Sequence, residues 1–136
     1  MAHEEALDFI RRHHRGVLAT YRKDGQAQLS PVLVGVDAAG RVVISTRDGA
    51  IKTRNLRRNP RAGVCALSDR FFGAWYSVEG DVEILSLPEA LEPLVDYYRG
   101  VAGEHPDWKD YRDAMGREQR VLLRLTVDRS GPTTQG

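Results

Sequence analysis

Between Ala74 and Leu85 the chain alternates without a break. Tyr76, Val78, Gly80, Val82 and Ile84 are mostly apolar, while Ser77, Glu79, Asp81 and Glu83 are polar. Successive side chains on a strand point to opposite faces, so this pattern predicts a long strand with one face in a core and one toward water. A strand of that kind needs partners, and the rest of the chain supplies them. Gly16–Tyr21, Gln26–Val36, Arg41–Thr46, Arg61–Ser68 and Arg120–Val127 carry strand patterns, the last with Val121, Leu123, Leu125 and Val127 on one face. Lys23-Asp24-Gly25 is a hairpin signal between the first two, and a turn over 37–40 leads into the third, so the first third predicts a three-strand antiparallel meander.

Helices interrupt this series at three places. Ala6, Phe9 and Ile10 share helical spacing near the N-terminus. A short basic helix spans Ala50 to Arg58 and is limited by Pro60, since the residue before a proline is pushed out of the helical region. After Pro88, Leu91, Leu94, Val95, Tyr98, Val101 and Ala102 repeat at three and four residues up to Gly103. A further helix begins near Pro106, with Trp108, Tyr111 and Met115 on one side. Six strands with short connections, and a helical insert before the last, predict a mainly β fold: a small closed or partly closed barrel. The 136 residues, 41% apolar and 29% charged, suit one domain over 1–129, with a polar, disordered tail over 130–136.

Charge is concentrated in one stretch. From Arg47 to Arg61 six Lys or Arg face one acid, Asp48, a balance of +5 on a chain whose net charge is +1. A focused basic site on a near-neutral protein points to a bound anion. Lys52 and Asn55 are three residues apart on the basic helix, and the first turn of a helix presents free N–H groups and the positive end of the dipole. Thr53 offers a hydroxyl, and Ser45 and Thr46 offer two more from the strand end. The competing account is a solvated basic helix. Nucleic acid is disfavoured. Residues Glu79 to Glu118 hold eleven acids against four bases, and no aromatics interleave the basic run for base stacking.

Two further positions draw attention. Pro31 lies mid-strand in Leu29-Ser30-Pro31-Val32, where proline deletes a ladder hydrogen bond and implies an edge or an interrupted strand. It either leaves backbone groups free for a polar ring or protects the edge, with Ser30 and Val32 flanking it on one face. Trp75 falls in the polar register of its strand, as a ligand or subunit contact or packed under the terminal helix.

Other chemistry is missing. His3, His13, His14 and His105 find no Cys or acidic cluster to complete a metal set, and no nucleophile–base, Walker or dinucleotide motif occurs. The single Cys65, in an apolar run, is expected to be a buried strand thiol. No apolar run is long enough to cross a bilayer, and Met-Ala-His-Glu-Glu lacks the features of a signal peptide. A cytoplasmic protein without a membrane partner is expected.

The ordered set Gly16-Val17-Leu18-Ala19-Thr20, Asp24 to Val32, and Lys52 to Ala62 resembles the split β-barrel flavin/deazaflavin oxidoreductases of the pyridoxamine 5′-phosphate oxidase-like superfamily. Tyr97-Tyr98-Arg99, Gly103 to Trp108, Asp110-Tyr111-Arg112 and Met115 are similar to its actinobacterial branch that uses coenzyme F-420. The resemblance spans roughly residues 7–128 and implies a six-stranded, FMN-binding-like split barrel. It implies a homodimer with two cofactor sites at the subunit interface. The phosphate-bearing side chain of F-420 would lie over Lys52, with Thr53 and Asn55 nearby. Ser30, Pro31 and Val32, with Ile44, Ser45 and Thr46, would border the ring and its linker. Trp75 and Tyr76 would come from the partner subunit. Many relatives carry an arginine two residues before the lysine; here Ala50 stands there, and Arg47 is the candidate substitute. The usual Trp/Tyr-Gly-Leu-Pro ending is absent too.

The implied activity is hydride transfer from reduced F-420 to an electron-poor small molecule of the biliverdin, quinone or heteroaromatic type, with no catalytic side chain required. The alternatives are an FMN-dependent oxidase of the pyridoxamine-phosphate type and a non-catalytic carrier of F-420 or another ligand.

Overall fold

The computed structural model describes residues 3–132. In chain order the elements are α1 (Glu4–Arg12), β1 (Arg15–Tyr21), β2 (Ala27–Leu33), β3 (Gly35–Val36), β4 (Val42–Arg47), α2 (Ile51–Arg58), β5 (Arg61–Leu67), β6 (Trp75–Leu85), α3 (Leu91–Ala102), α4 (Trp108–Arg117) and β7 (Arg120–Gly131). All strand pairs are antiparallel, in the order β2-β1-β5-β6-β7-β4-β3.

That order forces the architecture. Its two ends, β2 and β3, are joined in the chain by one residue, Val34. One residue spans only a few ångströms (about 3.3–3.6 Å extended), so the sheet must curl until its ends meet. The result is a seven-strand, curled antiparallel half-barrel. The expected second strand, Gln26–Val36, is therefore two strands, and the six expected strands become seven. The break has a local cause. Val34 N–H donates to the His14 carbonyl at 2.7 Å, and His14 Nδ1 lies 2.9 Å from the Val34 carbonyl. The Val34 carbonyl thus meets a side chain where a strand partner would be, and the Val34 side chain is fully buried. In the expected meander, β1 pairs with β2 and β3 with β4, but the other neighbours of β1 and β4 are the distant β5 and β7.

The alternation from Ala74 onward behaves as the pattern requires. Val78 is fully buried inside the barrel, and Tyr76, Val82 and Ile84 pack against the same core. Leu18, Val64, Ile44 and Leu123 join it from other strands, and Phe9 and Ile10 close it from α1. Each such side chain contributes roughly 1.5–3 kcal/mol through burial. At Gly80 the β6–β7 register shifts by one residue, and a Cβ there would lie 1.9 Å from the Thr126 carbonyl oxygen, so only glycine fits this crossing.

A second apolar cluster lies on the other face of β4 and β7. Val43 and Leu122 meet Leu94 and Val95 of α3 and Tyr111 and Met115 of α4. The Asp107 carboxylate caps α4 by accepting from the Asp110 N–H at 3.1 Å. Cys65 corrects an expectation. Ala62, Val64 and Ala66 take the buried positions of β5, which leaves Cys65 half-buried on the outer face. Burial pushes its thiol up, away from the reactive thiolate. Ser130 and Gly131, expected in the tail, continue β7; residues 133–136 of that tail lie outside the described residues. Among the described residues no helix is long and apolar enough to cross a membrane.

Candidate functional site

Among the described residues β2 pairs only with β1, and β4 pairs with β3 only at Val42 and Val43. Along Ala27–Leu33 on one side and Ile44–Arg47 on the other, two strand edges therefore flank a split with no strand between them. Pro31 lies on the first lip. The first lip is tied to the helical insert. The Tyr97 hydroxyl, from α3, donates to the Leu33 carbonyl at 2.8 Å. Burial pushes that phenol up, and the Ser45 backbone amide works in the opposite direction.

Ser30 carries a further sign. Ser30, like Val32, is on the inward register of β2, and its hydroxyl is buried without a hydrogen-bond partner. An orphaned buried hydroxyl costs about 1–3 kcal/mol, and such groups are uncommon in native folds. Ile44 and Thr46 of the second lip point into the core and are buried, so only their backbone edges are available. Ser45 sits between them, half-buried on the opposite face.

At the other end of the split, β4 runs through a tight turn into α2. The Ala50 N–H donates to the Arg47 carbonyl at 3.2 Å, and no side chain caps the helix. Four of the six cations are engaged. Arg57 pairs with Asp48, Arg61 with Asp128 and Asp81, and Arg47 lies 3.9 Å from Glu118. Arg58 donates to the Tyr21 carbonyl at 2.8 Å and to Asn55 Oδ1 at 3.0 Å. Among the described residues, Lys52 and Arg54 have no carboxylate within ion-pair distance. The +5 stretch therefore narrows to two free cations beside an uncapped helix start, an arrangement suited to one phosphate.

Thr53 and Asn55 do not point there. Thr53 is fully buried and its hydroxyl donates to the Arg47 carbonyl at 2.7 Å. Asn55 is buried and its Nδ2 donates to Thr20 Oγ1 at 3.1 Å. Both fasten α2 to the barrel, so Lys52 faces outward alone. Trp75 and Tyr76 also part company. Tyr76 packs on Phe9 and donates to Glu5 Oε2 at 3.2 Å, whereas Trp75 is 39% exposed on the outer face and belongs to neither core cluster. Opposite Trp75 lies Leu67, and the same face carries Leu29, Pro31 and Leu33 of β2, with Val17, Ala19 and Cys65 between them. Leu29 is 63% exposed. This outer sheet face is a broad apolar surface, extended at the β5–β6 turn by the exposed Phe71 and Phe72.

Sequence reasoning missed the role of Tyr97. Its motif was visible, but its bond to a carbonyl 64 residues away was not. Among the described residues no three His, Cys, Asp or Glu gather as a metal site would require.

A curled sheet that closes through one residue and leaves two unpaired edges beside a basic helix start is a split β-barrel. The chain belongs to the pyridoxamine 5′-phosphate oxidase family, which it matches over residues 2–132. This is an oxidoreductase-type family. Among solved structures, a conserved hypothetical protein from Mycobacterium tuberculosis is 28% identical, with a TM-score of 0.79 over 100% of this chain and 92% of the other. A protein named F420 reductase is 20% identical, with a TM-score of 0.70 over 91% of this chain and 94% of the other. A putative pyridoxamine 5′-phosphate oxidase from Listeria innocua is 15% identical, with a TM-score of 0.70 over 99% of this chain and 100% of the other. The last two likenesses speak to the fold alone.

Proposed function

We propose that this chain is a coenzyme F-420-dependent reductase that passes a hydride to an electron-poor small molecule of the biliverdin, quinone or heteroaromatic type. The observation that carries the reading is the pairing of a split with a buried, partnerless Ser30 hydroxyl and a helix start with the free cations Lys52 and Arg54. A planar ring with a polar edge suits the first, and a phosphate on a flexible tail suits the second. The residues present therefore fit the group. Lys52 and the first-turn amides of α2 hold the phosphate. Ser30 and the unpaired edges of Ser30–Val32 and Ile44–Thr46 take the ring and its linker. Arg47, already near Glu118, is an unsuited replacement for the arginine missing at Ala50. When bound, reduced F-420 supplies the hydride, and the protein fixes its pose and excludes water. The likeness to the F420 reductase and the F-420-type motifs around Tyr97–Met115 support this choice of coenzyme.

In this reading two copies associate through the apolar face of Leu29, Pro31, Leu33, Leu67 and Trp75, and Trp75 of each reaches the other's split. The protein works as a cytoplasmic homodimer.

The family and the Listeria likeness support an FMN reading, which uses the same phosphate position. A fluorescence titration of the purified protein with F-420 and with FMN separates the two. Tighter binding of F-420 is expected, and tighter binding of FMN overturns the assignment. Turnover of reduced F-420 with a quinone acceptor distinguishes an enzyme from a carrier.

A further inference from the structure

On the side of Tyr97 away from the split lies a cavity of about 360 Å³. Its floor is Gly35, Val43 and Leu122, and Tyr97 and Gly100 of α3 line its wall. This is the size of a small-molecule pocket. It faces away from the apolar outer surface of β2, β1, β5 and β6, because it sits on β3, β4 and β7 beneath α3.

Two features argue that the cavity is built to stay open. The first is Gly100. Glycine is the least favourable residue in a helix after proline. Here nothing lies within 4 Å of the position a Cβ would take, so packing does not require it. Gly100 is exposed and lines the cavity, so no side chain is present there to cover it. The second is the polar rim. The Asp37 carboxylate is occupied: Oδ1 accepts from the N–H groups of Ala39 and Arg41, and Oδ2 from Arg41 Nε at 2.9 Å. The two terminal nitrogens of Arg41 have no acceptor among the described residues. Arg124 uses Nε and Nη2 on Glu83, leaving Nη1. Against these donors stands one carboxylate without a partner among the described residues, Asp96, exposed at the rim. Three guanidinium nitrogens are thus left as donors over an apolar floor, on cations whose charges are paired with Asp37 and Glu83.

We infer that this cavity is a second small-molecule site, separate from the split, which takes a flat, mainly apolar molecule carrying a carboxylate. The apolar body lies on Gly35, Val43 and Leu122, and the carboxylate meets the free guanidinium nitrogens of Arg41 and Arg124, a charge-assisted contact. Tyr97 is the party wall: it lines this cavity and its hydroxyl holds the Leu33 end of the split.

The probe is 2-naphthoate, titrated into the full chain and followed by amide NMR shifts, with 2-naphthalenemethanol as the uncharged control. Saturable shifts centred on Gly35, Val43 and Gly100 are expected, with the alcohol weaker by about tenfold. A Cβ at Gly100 meets nothing within 4 Å, so Gly100→Leu is expected to keep the fold and, by covering the cavity, to lose the probe, while Lys52→Ala binds as wild type does. Arg41→Gln narrows the gap between acid and alcohol. The inference is overturned if the shifts centre on Ser30 and Lys52 or on the exposed phenylalanines. It is equally overturned if they fail to saturate, or if Gly100→Leu, shown folded by its spectrum, binds naphthoate as wild type does.

Discussion

The Tyr97 hydroxyl donates to the Leu33 carbonyl at 2.8 Å, across 64 residues of chain, at the point where β2 leaves the ladder. One bond therefore couples the helical insert to the broken strand. Tyr97→Phe keeps the ring and deletes the donor, and it should lower unfolding stability by about 0.5–1.5 kcal/mol. Urea denaturation reads this as a lower midpoint with an unchanged slope. An unchanged midpoint would show that α3 is held by packing alone.

Neighbouring residues of α2 should separate binding from folding. Lys52→Ala should weaken coenzyme binding by about 1–3 kcal/mol, because it removes a charge-assisted phosphate contact. Its stability should stay within about 0.5 kcal/mol of wild type, as for an ordinary surface change. Asn55→Ala removes a buried bond to Thr20 and should cost about 1–3 kcal/mol of stability. Calorimetry for binding and urea melts for stability test the pair. If Asn55→Ala weakened binding and left stability untouched, the inward orientation of Asn55 would be refuted.

The apolar outer face makes a prediction about assembly. Leu29 is exposed on β2, one strand away from Ala19. Leu29→Glu places a charge in the proposed dimer surface and should yield monomers in sedimentation at micromolar concentration. Leu91→Glu, on α3, should leave the association intact. Wild-type protein sedimenting as a monomer would remove the dimer from the account.

Alkaline stability should reflect Tyr111. This buried phenol donates to the Leu94 carbonyl at 2.9 Å, and burial pushes its pKa from 10.0 up to about 12. The folded protein then holds the proton more tightly than the unfolded chain. Its contribution is fully present below about pH 10 and is lost as pH rises through about 12. Urea midpoints measured across that window should fall more steeply for wild type than for Tyr111→Phe. Parallel slopes would contradict the assignment.

Much of this was legible in the sequence where the cause is local. The alternation of β6 follows from one buried face, and the stop at Pro60 from the geometry of the preceding residue. What escaped was set at long range. The break at Val34 depends on His14 and on the closure of the barrel. Helical spacing put Lys52 and Asn55 together, but Asn55 turns inward because Thr20 on β1 offers it a partner. Cys65 looked like core because its run is apolar; strand alternation puts it on the outer face instead. Ser30 and Pro31 were marked as unusual in the sequence, while the orphaned hydroxyl that gives Ser30 its meaning is a property of the folded barrel.

In the proposed function the split and the start of α2 together hold a phosphorylated redox coenzyme. A crystal structure of the protein soaked in F-420 is the decisive test. The phosphate is expected against Lys52 Nζ and the first-turn amides of α2, with the ring between Ser30–Val32 and Ile44–Thr46. A coenzyme seated elsewhere, or a split left vacant at saturating concentration, would contradict it.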